Sequence, residues 1–323
     1  MLSKVKVAPA SLGPGEAVIA FDVGGTDTKS ALIAADGEVF GLRRTPTPHD
    51  GHRTADAVVA NLAELATELR SAHPDIRPTA AGLLVPGIVD AGRGIGVFAS
   101  NMGWRDAPVR ELAEAAVGLP VAFHHDVTVA GWAEHRLGAG RGYDDVVVLV
   151  IGTGIAGSLI VDGRLHDGNG YAGEIGHAPI ADGPACRCGA RGCLEAVASA
   201  GAIARRYRER TGTVLRGARE VLARADAGDP IAIEVWDDAL DGLALSITQV
   251  AAMLAPQVVV IGGGLSRAGA DLFTPLRQRV DARLSFHRRP LLVPAQLSGN
   301  AGLLGAALIA RELVDASRKR GVA

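Results

Sequence analysis

The chain has 323 residues, 48% of them hydrophobic and 21% charged, with 42 glycines and 16 prolines, enough apolar length for a sizeable globular core and for two domains. Its 33 basic and 35 acidic residues give a formal charge of -2, without the basic excess or stripe of a nucleic-acid binder. The most compact apolar run, Val146 to Ile151, is far short of the ~18 residues that span a bilayer. No apolar stretch of signal-peptide length precedes the turn-like Leu12-Gly13-Pro14-Gly15, so the expectation is a cytoplasmic protein with neither membrane nor nucleic acid as partner.

In chain order, Ala17 to Phe21, Ser30 to Ala34 and Val39 to Leu42 are strand-sized apolar pieces separated by Gly24-Gly25 and Asp36-Gly37, a pattern of consecutive antiparallel strands with tight turns. The period then changes: Val58, Leu62, Leu65 and Leu69 lie on one helix face and predict a helix over Thr54 to Ser71. A buried strand, Ala81 to Val85, is stopped by Pro86-Gly87. A short helix through Val109, Leu112 and Ala116 and a strand Val121 to His124 follow, and a helix runs from about Thr128 to Leu137. The strand Asp145 to Ile151, the glycine turn Gly152-Thr153-Gly154 and the strand Ser158 to Val161 repeat the opening pattern. An irregular stretch over Asp162 to Cys193 comes next. Helices then fill the chain, interrupted by strands at Val258 to Ile261 and Leu291 to Val293, and the last helix covers Ala301 to Arg318. The expected division is a small α/β domain over 1–125, completed by the C-terminal helix 301–323, and a large α/β domain over 126–300.

Asp22-Val23-Gly24-Gly25-Thr26 puts a carboxylate at a strand end and follows it with two residues that let backbone N–H groups approach an anion; Asp22 can hold Mg2+ through water. Lys29-Ser30 is not a Walker A lysine, because Thr28 stands where glycine is required. Gly152-Thr153-Gly154-Ile155-Ala156-Gly157 matches the dinucleotide fingerprint in letters only, since Ser158-Leu159-Ile160-Val161 favours a strand where a helix should begin. Two strand-turn-strand loops point instead to a phosphate chain gripped by both, and Gly262-Gly263-Gly264 is a third glycine turn that could admit a base or ribose.

All three cysteines fall in Cys186-Arg187-Cys188-Gly189-Ala190-Arg191-Gly192-Cys193, with His177 nine residues upstream. An odd count in a short glycine-rich knuckle argues against disulfides and for a Cys3His zinc site with all four positions filled by protein, which is structural and not catalytic. Asp126 stands between a strand and a helix, where the helix dipole favours the carboxylate; taken alone it reads first as an ordinary N-cap. Asn101, Glu174 and His177 are polar residues on glycine-flanked loops suited to a polyol, and Glu195 follows the knuckle.

Together, Asp22-x-Gly-Gly-Thr26, Pro86-Gly87-x-x-Asp90, Gly152-Thr-Gly154, Glu174-x-Gly-His177 and Cys186-x-Cys-Gly-x-x-Gly-Cys193-x-Glu195 resemble the ROK family of bacterial sugar kinases and repressors, over nearly the whole chain. The resemblance implies an α/β, actin-like, hexokinase-type (ribonuclease H-like) fold of two domains with an interdomain cleft where ATP and sugar meet. It implies Asp126 as general base, with Gly87, Asn101, His125, Asp126, Glu174, His177 and Glu195 around the sugar. Asp22, Gly24, Gly25, Thr26, Gly152, Thr153, Gly154, Gly263 and Gly264 would face ATP and Mg2+, and a homodimer is the family's common state. One departure stands out: the family has Asn immediately before the catalytic Asp, and this chain has His125, preceded by His124. Because that Asn contacts a sugar hydroxyl, the replacement bears on the choice of sugar, and N-acetylglucosamine is expected slightly ahead of glucose. A sugar-responsive repressor would carry a helix-turn-helix ahead of the first strand, and polyphosphate is an alternative donor. An ATP-dependent kinase acting on the sugar 6-hydroxyl remains the leading expectation.

Overall fold

The computed structural model describes residues 12–100 and 102–321; Asn101 lies outside them. The chain divides into two compact units. The first holds the residues up to Gly138, Asp167–Tyr171 and those from Gly299 on, and the second holds Ala139–His166 and Ala172–Ser298.

The first unit contains β1 (Val18–Val23), β2 (Asp27–Ile33), β3 (Val39–Pro46), α1 (Thr54–Ala72), β4 (Ala80–Val85), β5 (Ile88–Asp90), β6 (Ile95–Ala99), β7 (Trp104–Ala107), α2 (Val109–Val117), β8 (Val121–His125), α3 (Asp126–Leu137) and the C-terminal helix Ala301–Gly321. Its main sheet has the order β3-β2-β1-β4-β8, with β2 and β3 antiparallel to their neighbours and β4 and β8 parallel to β1 and β4. The central strand is apolar at nearly every position because both faces are covered. Ile19, Phe21 and Val23 join a core with Val58, Leu62 and Leu65 of α1, while Val18 and Ala20 pack with Leu303, Ala306 and Ala310 of the C-terminal helix. That helix rides directly on β4, where a Cβ at Gly82 would stand 1.8 Å from the Ala306 carbonyl oxygen.

Helix α3 groups with this unit, so the sequence boundary at 125/126 falls inside it. Val129 packs with Leu303 and Ala306, and Trp132 Nε1 donates to Glu312 Oε1 at 3.1 Å. A small sheet of order β5-β6-β7 occupies residues with no element assigned from sequence. Its strands are three to five residues long and its register shifts at Ile88/Val89, so no alternation long enough to read survives.

The second unit contains β9 (Val146–Ile151), β10 (Ile155–Val161), β11 (Arg164–His166), α4 (Leu194–Ala198), α5 (Ala200–Thr211), α6 (Ala218–Asp226), α7 (Pro230–Leu254), β12 (Val258–Gly262), α8 (Ala270–Arg283) and β13 (Leu291–Pro294). Its sheet order, β11-β10-β9-β12-β13, repeats the plan of the first: a central strand, two antiparallel neighbours on one side and two parallel strands on the other. Val147, Leu149 and Ile151 of β9 face a helical core that includes Leu240, Leu243 and Ile247 of α7. Helix α7 is started by Asp229, whose Oδ1 accepts from Ile231 and Ala232 N–H, with Pro230 at its first position.

Parallel pairing has a consequence for chemistry. Asp22 pairs with Leu84 and Val85 pairs with His125, so Asp22, Gly87 and Asp126 all sit at the carboxyl ends of β1, β4 and β8. In the second unit, pairing of Gly262 with Val150 brings the turns 152–154 and 263–264 to the carboxyl ends of β9 and β12. Carboxyl edges of parallel strands are where α/β sheets place their ligands.

Candidate active site and metal cluster

Asp126 is the first residue of α3, and its two carboxylate oxygens differ. Oδ1 accepts from the Val127 N–H at 2.6 Å and lies 3.0 Å from His125 Nε2, whereas Oδ2 has no hydrogen-bond partner among the described residues. Burial first, and then the negative charge of Asp22, push the Asp126 pKa up from 3.8 to about 7; the Val127 N–H and Lys29 pull the other way. The carboxyl is thus held in the range where a proton is exchanged near neutrality, and with one oxygen available for it.

His125 caps α3: its Nδ1 accepts from Thr128 N–H at 3.4 Å and lies 2.9 Å from Thr128 Oγ1. His124, one residue earlier, accepts the His125 N–H on Nδ1 at 2.9 Å and turns Nε2 to Asp167 Oδ2 at 3.4 Å. That hydrogen bond holds the Asp167 carboxyl below its usual range. Asp167 in turn accepts from Asn169 N–H at 3.1 Å, so the segment Asp167–Tyr171 is tied to β8, the strand that leads into the candidate base.

The turn between β1 and β2 is held by its carbonyls. Gly24 O accepts from Thr47 Oγ1 at 2.8 Å, Gly25 O lies 2.9 Å from His49 Nε2, and Thr26 O accepts from Thr47 N–H at 2.8 Å. Asp22 pairs with Lys29 at 3.2 Å, and Lys29 also donates to the Gly299 carbonyl at 3.0 Å. Lys29 escapes the sequence reading, where it figures only in the rejected Walker A pattern. The signal available was register: directly across from Asp22, it shares its neighbour's surroundings.

In the second unit, the turn Gly152–Gly154 closes with Gly152 N–H to Gly154 O at 2.9 Å. The next amide, Ile155 N–H, donates to Glu195 Oε2 at 2.8 Å, so Glu195 supports this turn. Gly263 has φ +81°, and a Cβ there would meet Ile151 O at 2.4 Å; only glycine lets the two turns lie this close. Beside them, Gly264, Gly217, Leu222, Trp236, Ala200 and Arg267 line a cavity of about 630 Å³, within the range of a drug-sized ligand site.

His177, Cys186, Cys188 and Cys193 offer ligand atoms that all lie within 4.8 Å of one another. Cys186 Sγ is 3.6 Å from His177 Nδ1 and Cys188 Sγ is 3.6 Å from Cys193 Sγ. Burial and the neighbouring sulfurs push Cys193 up to about 12, while the Ala190 backbone amide draws Cys188 down. Crowded thiols of this kind are stabilised as thiolates by a divalent cation, and the donor set suits tetrahedral zinc. The other His177 nitrogen, Nε2, faces Glu174 Oε2 at 3.9 Å, placing both residues of the Glu174-x-Gly-His177 motif beside the cluster.

The ROK family model matches residues 18–313. The chain belongs to the ROK family. It is 31% identical to a glucokinase of Streptomyces coelicolor over 315 residues, covering 91% of this chain and 97% of that protein. It is 33% identical to an N-acetylmannosamine kinase of Shigella flexneri, covering 91% and 98%. The crystal structure of a ROK glucokinase of Streptomyces griseus in complex with glucose and AMPPNP superposes with a TM-score of 0.76 at 30% identity, covering 92% of this chain and 99% of that one. The fold is accordingly the α/β, actin-like, hexokinase-type fold, and the chain is similar throughout to sugar kinases. Among the described residues, no helix is long and apolar enough to cross a membrane.

The structure thus brings Asp22, His125 and Asp126 together in the first unit, with Gly87 in the turn between β4 and β5. It gathers the turns 152–154 and 263–264 with Glu195 in the second unit, and joins Glu174 and His177 to the three cysteines. His124 and Asp167 have no local signal, since their contact spans distant stretches of chain.

Proposed function

We propose that the chain transfers the γ-phosphoryl group of ATP to the 6-hydroxyl of an aldohexose, with Asp126 as the general base. The observation that carries this reading is the division of labour within the Asp126 carboxyl: one oxygen tied by the Val127 N–H, the other unpartnered, and a pKa of about 7. The hydroxyl oxygen forms the new bond to the γ-phosphorus, the bond from that phosphorus to the β-bridging oxygen breaks, ADP leaves, and the hydroxyl proton passes to Asp126 Oδ2. Because phosphoryl transfer is largely dissociative, placing the hydroxyl matters more than the strength of the base.

Gly24, Gly25, Thr26, Gly152, Thr153 and Gly154 offer backbone and hydroxyl groups to the phosphates, and the cavity beside Gly263 and Gly264 suits the nucleoside. Asp22 would hold Mg2+ through water, and the bound cation supplies charge neutralisation on the phosphates. Glu174, His177, Glu195 and the turn at Gly87 take the sugar, together with Asn101. His177, Cys186, Cys188 and Cys193 would hold a structural zinc that orders that loop, leaving His177 Nε2 beside Glu174 for the sugar. A sugar-contacting His125 would favour N-acetylglucosamine. On that reading N-acetylglucosamine is the first acceptor, with glucose close behind. A cytoplasmic homodimer completes the reading, consistent with the use of ATP and the habit of the family.

The test is an ADP-release assay on zinc-replete protein with Mg-ATP and a panel of glucose, N-acetylglucosamine, N-acetylmannosamine and mannose, run in parallel with polyphosphate as donor. Saturable turnover with glucose or N-acetylglucosamine is expected. Sugar binding without turnover on either donor would overturn the kinase reading and leave a sugar sensor.

A further inference from the structure

Helix α5 carries four arginines in the run Arg205-Arg206-Tyr207-Arg208-Glu209-Arg210, and the helical period sorts them onto two faces. Arg206 and Arg210 pair with Asp238 and Glu234 of α7. Arg205 and Arg208 instead line a cavity of about 340 Å³, together with Arg187 of the cysteine knuckle, Glu195, and Thr153 and Gly154 of the turn after β9. Arg205 is anchored there: it donates to the Ala196 carbonyl at 2.9 Å and lies 3.6 Å from Glu209 Oε1. Arg187 and Arg208 have no hydrogen-bond or ion-pair partner among the described residues. The one carboxylate of the lining, Glu195, accepts the Ile155 N–H on Oε2. Three guanidinium groups thus face a single carboxylate that a backbone amide already engages.

This cavity shares no lining residue with the one of about 630 Å³ beside Gly264, so it is a separate compartment from the one suited to the nucleoside. Its volume falls within the range of small-molecule sites. Guanidinium forks match the oxygens of a phosphate group, and a concave wall of one sign concentrates ligands of the other. We propose that the cavity is a second phosphate site, in which Arg187 and Arg208 hold a phosphate-bearing anion other than the nucleotide, beside the turn 152–154. The proposal rests on the reading of that turn as a phosphate turn, since Thr153 and Gly154 border the cavity. Two ligands carry the required chemistry. A linear polyphosphate would run on from the turn to the arginines, and a sugar phosphate would set its phosphate on the arginines and its hydroxyls toward Glu195.

The test is isothermal titration calorimetry on the full-length, zinc-loaded protein, with tripolyphosphate and glucose 6-phosphate as probes. The parent is compared with Arg187→Ala, Arg208→Ala and Arg210→Ala, the last removing a charge of the same helix that lies outside the cavity. Arg187 and Arg208 are exposed and unpaired, so parent-like melting temperatures are expected of both variants. The parent should bind at least one probe with a submillimolar Kd. Arg187→Ala and Arg208→Ala should each weaken that binding about 10-fold or more, as the loss of a charge-assisted hydrogen bond does, with Arg210→Ala within about twofold of the parent. Affinity for AMPPNP with Mg2+ should change by no more than about twofold in all three variants. Tripolyphosphate binding identifies the polyphosphate source, and binding of glucose 6-phosphate alone identifies the sugar phosphate. The proposal is overturned if the parent binds neither probe, if Arg187→Ala and Arg208→Ala bind like the parent, or if Arg210→Ala loses as much as they do, which would report net charge and not a site. An AMPPNP affinity that falls in step with the probe's would return the cavity to the phosphates of the nucleotide and overturn it as well. Because binding is read without turnover, a failed kinase assay with probe binding intact removes the phosphoryl-transfer reading and leaves this site standing.

Discussion

Asp126→Asn should cost the protein its activity and raise its stability. The carboxyl has a pKa of about 7 in the folded chain against 3.8 for an unhindered side chain, so below about pH 4 both states are protonated and folding bears no penalty. Between pH 4 and pH 7 the unfolded chain ionises while the folded one resists, and above pH 7 the full penalty stands. A rise of this size corresponds to about 4 kcal/mol. A quarter of the side chain meets solvent, which screens the interaction and brings the observable penalty to about 1–3 kcal/mol.

Asparagine keeps the oxygen that accepts the Val127 N–H and removes the charge that burial and Asp22 oppose. At pH 8, in the absence of sugar, nucleotide and Mg2+, the variant should therefore unfold later than the parent, by roughly 2–10 °C for units of this size. The difference should shrink by about half or more between pH 8 and pH 5. Thermal unfolding of the two proteins at four or five pH values decides the matter, with kcat of the variant, expected to fall by about 10²–10⁴-fold, measured alongside. A variant no more stable than the parent at pH 8, or a difference independent of pH, would refute the electrostatic reasoning; retained turnover would remove Asp126 from the chemistry.

The remaining predictions probe the same structure from other sides. For the parent, kcat/KM for the sugar should rise about tenfold from pH 6 to pH 8 as Asp126 loses its proton through pH 7, and a flat profile over that range speaks against a base of this pKa. Cys188→Ser should lose zinc by elemental analysis and raise the sugar KM about 10-fold or more, because the cluster orders Glu174 through His177; full metal content in the variant would contradict the four-ligand assignment. Gly82→Ala should lower stability by about 3 kcal/mol or prevent folding, since its Cβ would stand 1.8 Å from the Ala306 carbonyl oxygen. A parent-like melting temperature there would mean that the C-terminal helix does not rest on β4 as described.

What the sequence makes legible is what depends on neighbours in the chain. The spacing of Val58, Leu62, Leu65 and Leu69 encodes a helix face, and α1 covers Thr54–Ala72. The three cysteines announce a cluster because their ligand atoms come from one short knuckle, and only His177 has to be brought in from outside it. The small sheet β5-β6-β7 is illegible for the complementary reason: its strands are too short to display a period, and they pair through a shifted register. The carboxylates of the candidate site fall between these cases. Asp22 and Asp126 are visible as acids at strand ends, but their shared edge exists only because β1, β4 and β8 run parallel with Asp22 opposite Leu84 and Val85 opposite His125. The electrostatic coupling that lifts Asp126 toward neutrality is a property of that register and of the cover over it. His125 shows how far such context reaches. In the sequence it is a departure from a pattern and bears on the choice of sugar; in the fold, one nitrogen is set by the first turn of α3 and the other meets the carboxylate. Its surroundings follow from where a helix begins, which a residue-by-residue reading of the motif cannot supply.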